Sequence, residues 1–405
     1  MDPTKFVSRE FGQVIPVLGP PRCHAYAPEP IPRDLALDNE TVLLLSEADD
    51  AMGRLAGAGR LLPNPHLLVN AYLTQEAVAS SRIEGTQASL SEVFRAVAGG
   101  GNPSSDIFEV RNYIGALNRG LQRLNELPVC LRLVTEMHGV LMAGVRGRER
   151  TPGEFRKAQN WIGSPGDRPD TAAFVPPPVE LLAALLGDWE AYANDPPPVP
   201  TLVQCALLHY QFETIHPFYD GNGRLGRLLI VLFLVSRNRL PQPLLYISRY
   251  FEENRREYYD CLQAVRERGE IQQWLRLFLR AVSVQAQDAV RRAERLVDLR
   301  ETYRQGLRGS RSRAGEVVDL LFENPVLTTQ RVHEALGVTM PGALNLVRQL
   351  EQLGVLQDSG HRTGRGGRRY WLANAILTTL EAGEDDEPAL AAEGTSFDPA
   401  PVLET

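Results

Sequence analysis

No apolar stretch of this 405-residue chain is suited to crossing a bilayer: the run Leu228 to Val235 is far short of the roughly 20 residues a spanning helix needs. Met1 to Val14 lacks a basic patch followed by an apolar stretch, so no signal peptide and no membrane partner are expected. Cysteine is scarce. Cys23, Cys130, Cys205 and Cys261 stand singly without metal-ligand spacing, which argues against a zinc site or disulfide framework and for a reducing, cytoplasmic setting. An excess of positive charge is also missing. The net charge is −7, so any nucleic-acid binding has to be local rather than global. What is present is ordinary globular material, 43% hydrophobic and 23% charged, long enough for two or three domains.

One segment departs from that ordinariness. His216-Pro217-Phe218-Tyr219-Asp220-Gly221-Asn222-Gly223-Arg224-Leu225-Gly226-Arg227 precedes the apolar run and has the layout of a phosphate-handling site on a helix N-terminus. Gly221 and Gly223 let backbone approach a ligand, and unpaired N–H groups at a helix start, backed by the helix dipole, favour an anion. Arg224 and Arg227, three apart, share a face and can clamp different oxygens of a polyphosphate. Asp220 offers an oxygen ligand for Mg²⁺, Asn222 an amide donor, and His216 a base that is neutral for much of the time near pH 7. Each part alone reads equally as a turn, a solvated face or a core histidine. Together they match His-Pro-Phe-x-(Asp/Glu)-Gly-Asn-Gly-(Arg/Lys)-x-x-Arg at every specified position, a far more restrictive string than a lone glycine-rich loop.

By that string the chain resembles the Fic family over roughly residues 10 to 300. The resemblance implies an all-α fold class: a Fic helical core with a short β-hairpin flap, plus, read from the C-terminal third below, a winged helix-turn-helix domain. It also implies transfer of a nucleotide monophosphate, usually AMP from ATP with Mg²⁺, to a Tyr, Ser or Thr hydroxyl of a protein partner. His216 is then the base, Asp220 the Mg²⁺ ligand, Asn222 and Arg224 the holders of the α and β phosphates, and Arg227 the residue that meets the γ phosphate. Arg224 counts with His216 as catalytic. A homodimer is expected. Removal of AMP, or use of another nucleotide, stays open.

A second motif fits the first. Ser80-Ser81-Arg82-Ile83-Glu84-Gly85 matches (Ser/Thr)-x-x-x-Glu-(Gly/Asn), with Ser80 and Glu84 on one helical face and Gly85 as a stop. In the family it resembles, this is an inhibitory helix whose glutamate pairs with the second motif arginine, here Arg227. A carboxylate there occupies the place of the γ phosphate. Tyr258 and Tyr259, with Leu262 and Arg266 further along, resemble positions that flank the adenine; a place in the core is the other reading.

The rest follows proline, glycine and charge. Residues 1 to 36 read as an extended proline-rich arm, and residues 1–100 as arm plus the helices carrying the inhibitory motif. Helical periods predict helices over 40–58 and 64–82 in that first part, and over 106–125, 132–142, 179–194, 200–215 and 224–237 within a catalytic core of 101–305. Arg150 to Phe174 lacks helical period; Phe155 to Gly163 reads either as a hairpin flap at the pocket rim, pairing with a target segment, or as a surface loop. Residues 311–380 follow the order of a winged helix-turn-helix, with short helices at 329–336 and 341–353 and a wing at His361 to Tyr370 holding Arg362, Arg365, Arg368 and Arg369. Such modules serve DNA or protein partners, and a DNA-binding regulator using the Fic core as a nucleotide sensor is the alternative function. Residues 381–405 are acidic and read as a disordered tail.

Overall fold

The computed structural model describes the chain except residues 18–22, 62–64, 100–103, 146–150, 165, 196–197, 364–367 and 383–405. The N-terminal arm is not merely extended: β1 (Gly12–Val17) and β2 (Cys23–Pro28) pair antiparallel, with Gly12 opposite Pro28 and Val17 opposite Cys23. Prolines at strand positions suit a two-stranded edge ribbon, where not every N–H is needed. The Tyr26 ring fastens the ribbon down, tilted against Phe6 and Phe174 at 5.6 and 6.0 Å, and its N–H bonds the Val175 carbonyl at 2.9 Å.

Behind the ribbon come α1 (Asn39–Leu61), α2 (Pro65–Ile83), α3 (Leu90–Val97), α4 (Ser105–Arg123), α5 (Leu131–Leu141) and α6 (Val179–Asn194). Then follow α7 (Thr201–Ile215), α8 (Asn222–Ser236), α9 (Ser248–Glu253), α10 (Arg255–Arg268) and the long α11 (Ile271–Gly306). The centre is the α7–α8 pair, joined by the motif loop. All residues of α7 from Leu202 to Ile215 and all of α8 from Arg224 to Leu234 are buried, polar ones such as His209, Glu213, Arg224 and Arg227 included. Helix α2 lies beside α4, α8 and α9. It ends just before Glu84, and the chain turns away through Gly85 at φ 97°, a conformation that favours glycine.

The C-terminal part contains α12 (Ala314–Glu323), β3 (Val326–Leu327), α13 (Thr329–Leu336), α14 (Met340–Gln352), β4 (Gln357–Thr363), β5 (Arg368–Leu372) and α15 (Asn374–Glu381), its strands ordered β3-β5-β4. Expected as a module apart, it instead shares the main hydrophobic core. The apolar face of α12 (Val317, Val318, Leu321, Phe322) is buried against α2 and α11, and Asn324 and Tyr370 bond the carbonyls of Phe94 and Gly99. Glu381, expected in the tail, ends α15; the tip of the wing and the tail beyond Ala382 lie outside the described residues.

The expected flap hairpin within 155–163 is absent among the described residues. In its place, one antiparallel bridge joins Ile162 to Phe174. The Arg156 N–H pairs with the Pro217 carbonyl of the motif loop at 2.9 Å, and the Arg156 and Asn160 side chains bond the same loop. No helix among the described residues is long and apolar enough to cross a membrane.

Candidate active site

His216 ends α7 in the left-handed region, φ 48° and ψ 61°, which an ordinary residue adopts only when its surroundings hold it there. Gly221, at φ 77°, then starts α8, and no side chain among the described residues caps that start. Its leading N–H groups are therefore left without a side-chain cap, with the positive end of the helix dipole behind them.

Three side chains shape the loop. Asn222 accepts from the Phe218 N–H and donates to the Phe218 carbonyl, both at 2.9 Å. With both ends of the amide on Phe218, Asn222 organises the loop, and its second amide hydrogen is a donor beyond these two bonds. His138 of α5 stacks on Phe218 with ring centroids 3.7 Å apart. Its Nδ1 accepts from Gly153 N–H at 2.8 Å, so Nε2 carries the proton and donates to the Asp220 carbonyl at 3.0 Å. Burial holds the His138 pKa down at about 4, which keeps that arrangement neutral. Arg156, 1% exposed, donates to the carbonyls of His216 at 3.0 Å and Ile215 at 3.4 Å and to that of Pro177, while Asn160 donates to His216 and Phe218 carbonyls at 3.3 and 3.0 Å.

His216 itself has its pKa held down at about 3, by burial first and then by the charges of Arg156 and Arg266. Its Nδ1 lies 3.4 Å from the Glu213 carbonyl, which makes Nδ1 the protonated nitrogen and leaves the Nε2 lone pair free. A neutral imidazole with an open Nε2 is the form a general base requires. One turn back, Glu213 is buried with Oε1 unpartnered among the described residues; burial pushes its carboxyl up to about 7 against the pull of Arg227.

Both motif arginines are buried and met by carboxylates. Arg224 Nη1 bonds Glu109 Oε2 of α4 at 2.8 Å, and Nη2 lies 3.7 Å from Asp220. Arg227 Nη2 bonds Glu84 Oε1 at 2.7 Å and the Ser80 carbonyl at 3.0 Å, and Nε bonds Ser80 Oγ at 2.9 Å. Burial disfavours the charge on Glu84, yet Arg227 beside it outweighs that and holds the carboxyl below its ordinary value. Nη1 of Arg227 and Nε of Arg224 are buried without partners among the described residues, so donors remain for a further ligand. Gly223 lets the Glu84 carboxylate settle: a Cβ there would collide with Glu84 Oε1 and come 3.1 Å from Arg227 Nη1. Helix α2 is pinned from behind by buried Glu76, which accepts from Tyr113 Oη at 3.0 Å and Ser248 N–H at 2.9 Å.

Asp220 is 39% exposed, with Oδ1 taken by the Gly221 N–H at 2.6 Å. Tyr258 departs from its expected adenine contact. It is fully buried, its hydroxyl 2.9 Å from His209 Nε2 and its ring against Phe251 at 4.5 Å, so it belongs to the core. Tyr259, 41% exposed and within reach of the charges of Glu84 and Arg227, stays at the site's edge.

Glu109, His138, Arg156, Asn160 and Glu213 escaped the sequence reading. Glu109, His138, Arg156 and Asn160 each meet the motif segment more than fifty residues away in sequence. The one local signal was a lone histidine in the otherwise apolar face of α5.

Residues 42–122 match the Fic/DOC family N-terminal and residues 128–234 the Fic/DOC family. The "Protein adenylyltransferase Fic" of Aedes aegypti is 27% identical over 248 residues, covering 59% of this chain and 46% of that protein. Its namesake of Drosophila erecta is 31% identical over 156 residues, covering 38% of this chain and 28% of that protein. This chain thus spans less than half the length of those curated relatives. A solved Fic family protein from Desulfovibrio desulfuricans G20 superposes with a TM-score of 0.55 at 21% identity, covering 85% of this chain and 98% of the other, a likeness of fold.

Proposed function

We propose, from the match of residues 42–122 and 128–234 to the Fic/DOC family, that the chain is a protein adenylyltransferase, moving AMP from ATP to a Tyr, Ser or Thr hydroxyl and restrained by Glu84. The observation that carries this reading is the junction of α7 and α8: a neutral base at the end of one helix, an uncapped start to the next, and a carboxylate seated on Arg227.

In the proposed reaction, His216 Nε2 takes the proton of the target hydroxyl as its oxygen attacks the α phosphorus. The bond from that phosphorus to the bridging oxygen breaks, and pyrophosphate leaves with the electron pair. The N–H groups at the start of α8 and the Arg224 guanidinium face the negative charge that develops. Arg227, freed from Glu84, receives the terminal phosphate in the carboxylate's place. Asp220 would hold a Mg²⁺, its side chain being partly exposed while Oδ1 anchors the turn on the Gly221 N–H. When bound, such an ion neutralises phosphate charge.

The C-terminal part is read as a winged helix that brings a partner. Asn345 and Arg348 are exposed on α14, the position from which such a module reads DNA, and this keeps a DNA-directed role in view. Removal of AMP is the other reading of the same pocket, with Glu84, a third exposed, positioning a water.

Purified Glu84→Gly protein with α-labelled ATP and Mg²⁺, beside Glu84→Gly/His216→Ala, tests the proposal. Covalent label that depends on His216 is expected. Its absence from both the chain and added lysate proteins rejects AMP transfer.

A further inference from the structure

A buried guanidinium normally meets a carboxylate. Arg156 meets no carboxylate oxygen within ion-pair distance among the described residues. Its donors go instead to the carbonyls of Ala158, Pro177, Ile215 and His216, and its own N–H bonds the Pro217 carbonyl at 2.9 Å. Two of these carbonyls, Ile215 and His216, are the orphan acceptors at the end of α7, where the helix dipole is negative. A planar five-donor fork suits this task and a lysine would not.

We propose that Arg156 is the positioning residue of the active-site base: its fork ties the end of α7 to the 156–177 loop, holds His216 in its left-handed conformation, and sets a fixed positive charge beside the imidazole. The proposal rests on the reading of His216 as the base.

The charge matters as much as the geometry. The groups facing His216 are Arg156 from the loop and Arg266 from α10, which disfavour an imidazolium, and Glu84 from beyond α2 together with the Glu213 carbonyl of α7, which favour it. Arg266 is occupied elsewhere, lying over the Phe174 ring and donating to Thr214 Oγ1 at 3.1 Å. Burial is the first cause of the low His216 pKa and remains when the charge at 156 is removed, so the pKa rises only in part, whereas a purely structural role for Arg156 would leave it unmoved.

The test uses the full chain in a Glu84→Gly background, with Arg156→Gln and Arg156→Lys. Histidine ring carbons are labelled and the seven histidines followed by NMR from pH 5 to 8, with His216 assigned by its loss in His216→Ala. AMP transfer is measured over the same range. In the parent, His216 should be silent and transfer flat. In Arg156→Gln, the His216 ring resonances should begin to move at the acid end of this range, where the parent's do not, and kcat should fall about tenfold or more at every pH with the KM for ATP unchanged. Arg156→Lys should keep the flat profile with kcat down about tenfold and the KM for ATP unchanged. An Arg156→Gln protein with unchanged His138 and His209 resonances, a silent His216 and an unchanged kcat overturns the proposal. Should Arg156→Gln not fold, Arg156→Lys decides, and an unchanged kcat there overturns it. If the parent transfers nothing, the transferase reading fails, while the NMR titration still judges Arg156.

Discussion

Arg224 and Glu109 meet at 2.8 Å with both side chains about 95% buried, tying α8 to α4 directly under the motif loop. Breaking such a pair from one side leaves an uncompensated buried charge, which costs about 3–5 kcal/mol. Glu109→Ala should therefore lower the unfolding midpoint sharply and reduce transfer in a Glu84→Gly background. Glu109→Leu/Arg224→Met should recover the stability and none of the transfer. Thermal unfolding separates the two, and a stable Glu109→Ala protein would refute the claim that this pair holds the loop.

The Glu84–Arg227 contact makes a prediction about pH. Glu84's carboxyl is held below its ordinary value of 4.5, so the contact persists above that value and is lost only as pH falls through the lowered one. Restraint of transfer by Glu84 should then be constant between pH 6 and 8. The ratio of transfer by Glu84→Gly to that of the unaltered chain, expected at about tenfold or more, should stay flat across this range. A ratio that collapses toward one on mild acidification contradicts the assignment.

Gly223 is coupled to the same carboxylate. Alanine is normally better than glycine inside a helix by about 1 kcal/mol, but here its Cβ would run into Glu84. Gly223→Ala should destabilise the unaltered chain and stabilise the Glu84→Gly chain. Denaturant unfolding of the four proteins gives the coupling directly, and additive effects would dismiss the contact.

The motif residues were legible because their chemistry is local: twelve consecutive positions carry base, glycines, carboxylate and arginines. Helices α6 and α13 also lie where helical period put them, at Val179–Asn194 and Thr329–Leu336. Long-range partners were not legible. Nothing in the spacing marks Glu109 as the mate of Arg224, or Arg156 as the clamp on His216, because those contacts exist only after α4 and the 156–177 loop close over α7 and α8. Tyr258 illustrates the limit from the other side, since an aromatic pair has the same pattern whether it stacks on a base or, as here, on Phe251. Gly226, a position the motif leaves free, is restricted in this chain because a side chain there would strike Glu213 Oε1.

That buried Glu213 carboxyl supplies the last prediction. Burial raises its pKa from an ordinary 4.5 to about 7, so the folded chain holds the proton more tightly than the unfolded one. Below pH 4.5 both states keep the proton and no penalty arises. As pH rises toward 7 the unfolded chain gives up the proton first, and above 7 the folded chain bears an ionised, buried and unpartnered oxygen, a penalty of about 3 kcal/mol. Glu213→Gln removes the titration while keeping the shape. Its stability relative to the parent should be near zero at pH 4.5, grow through pH 5 to 7, and level off above. Urea unfolding at half-unit pH steps provides the curve, and parallel curves for parent and variant would show that Glu213 is ionised in the fold throughout, with Arg227 as its partner in place of an empty neighbourhood.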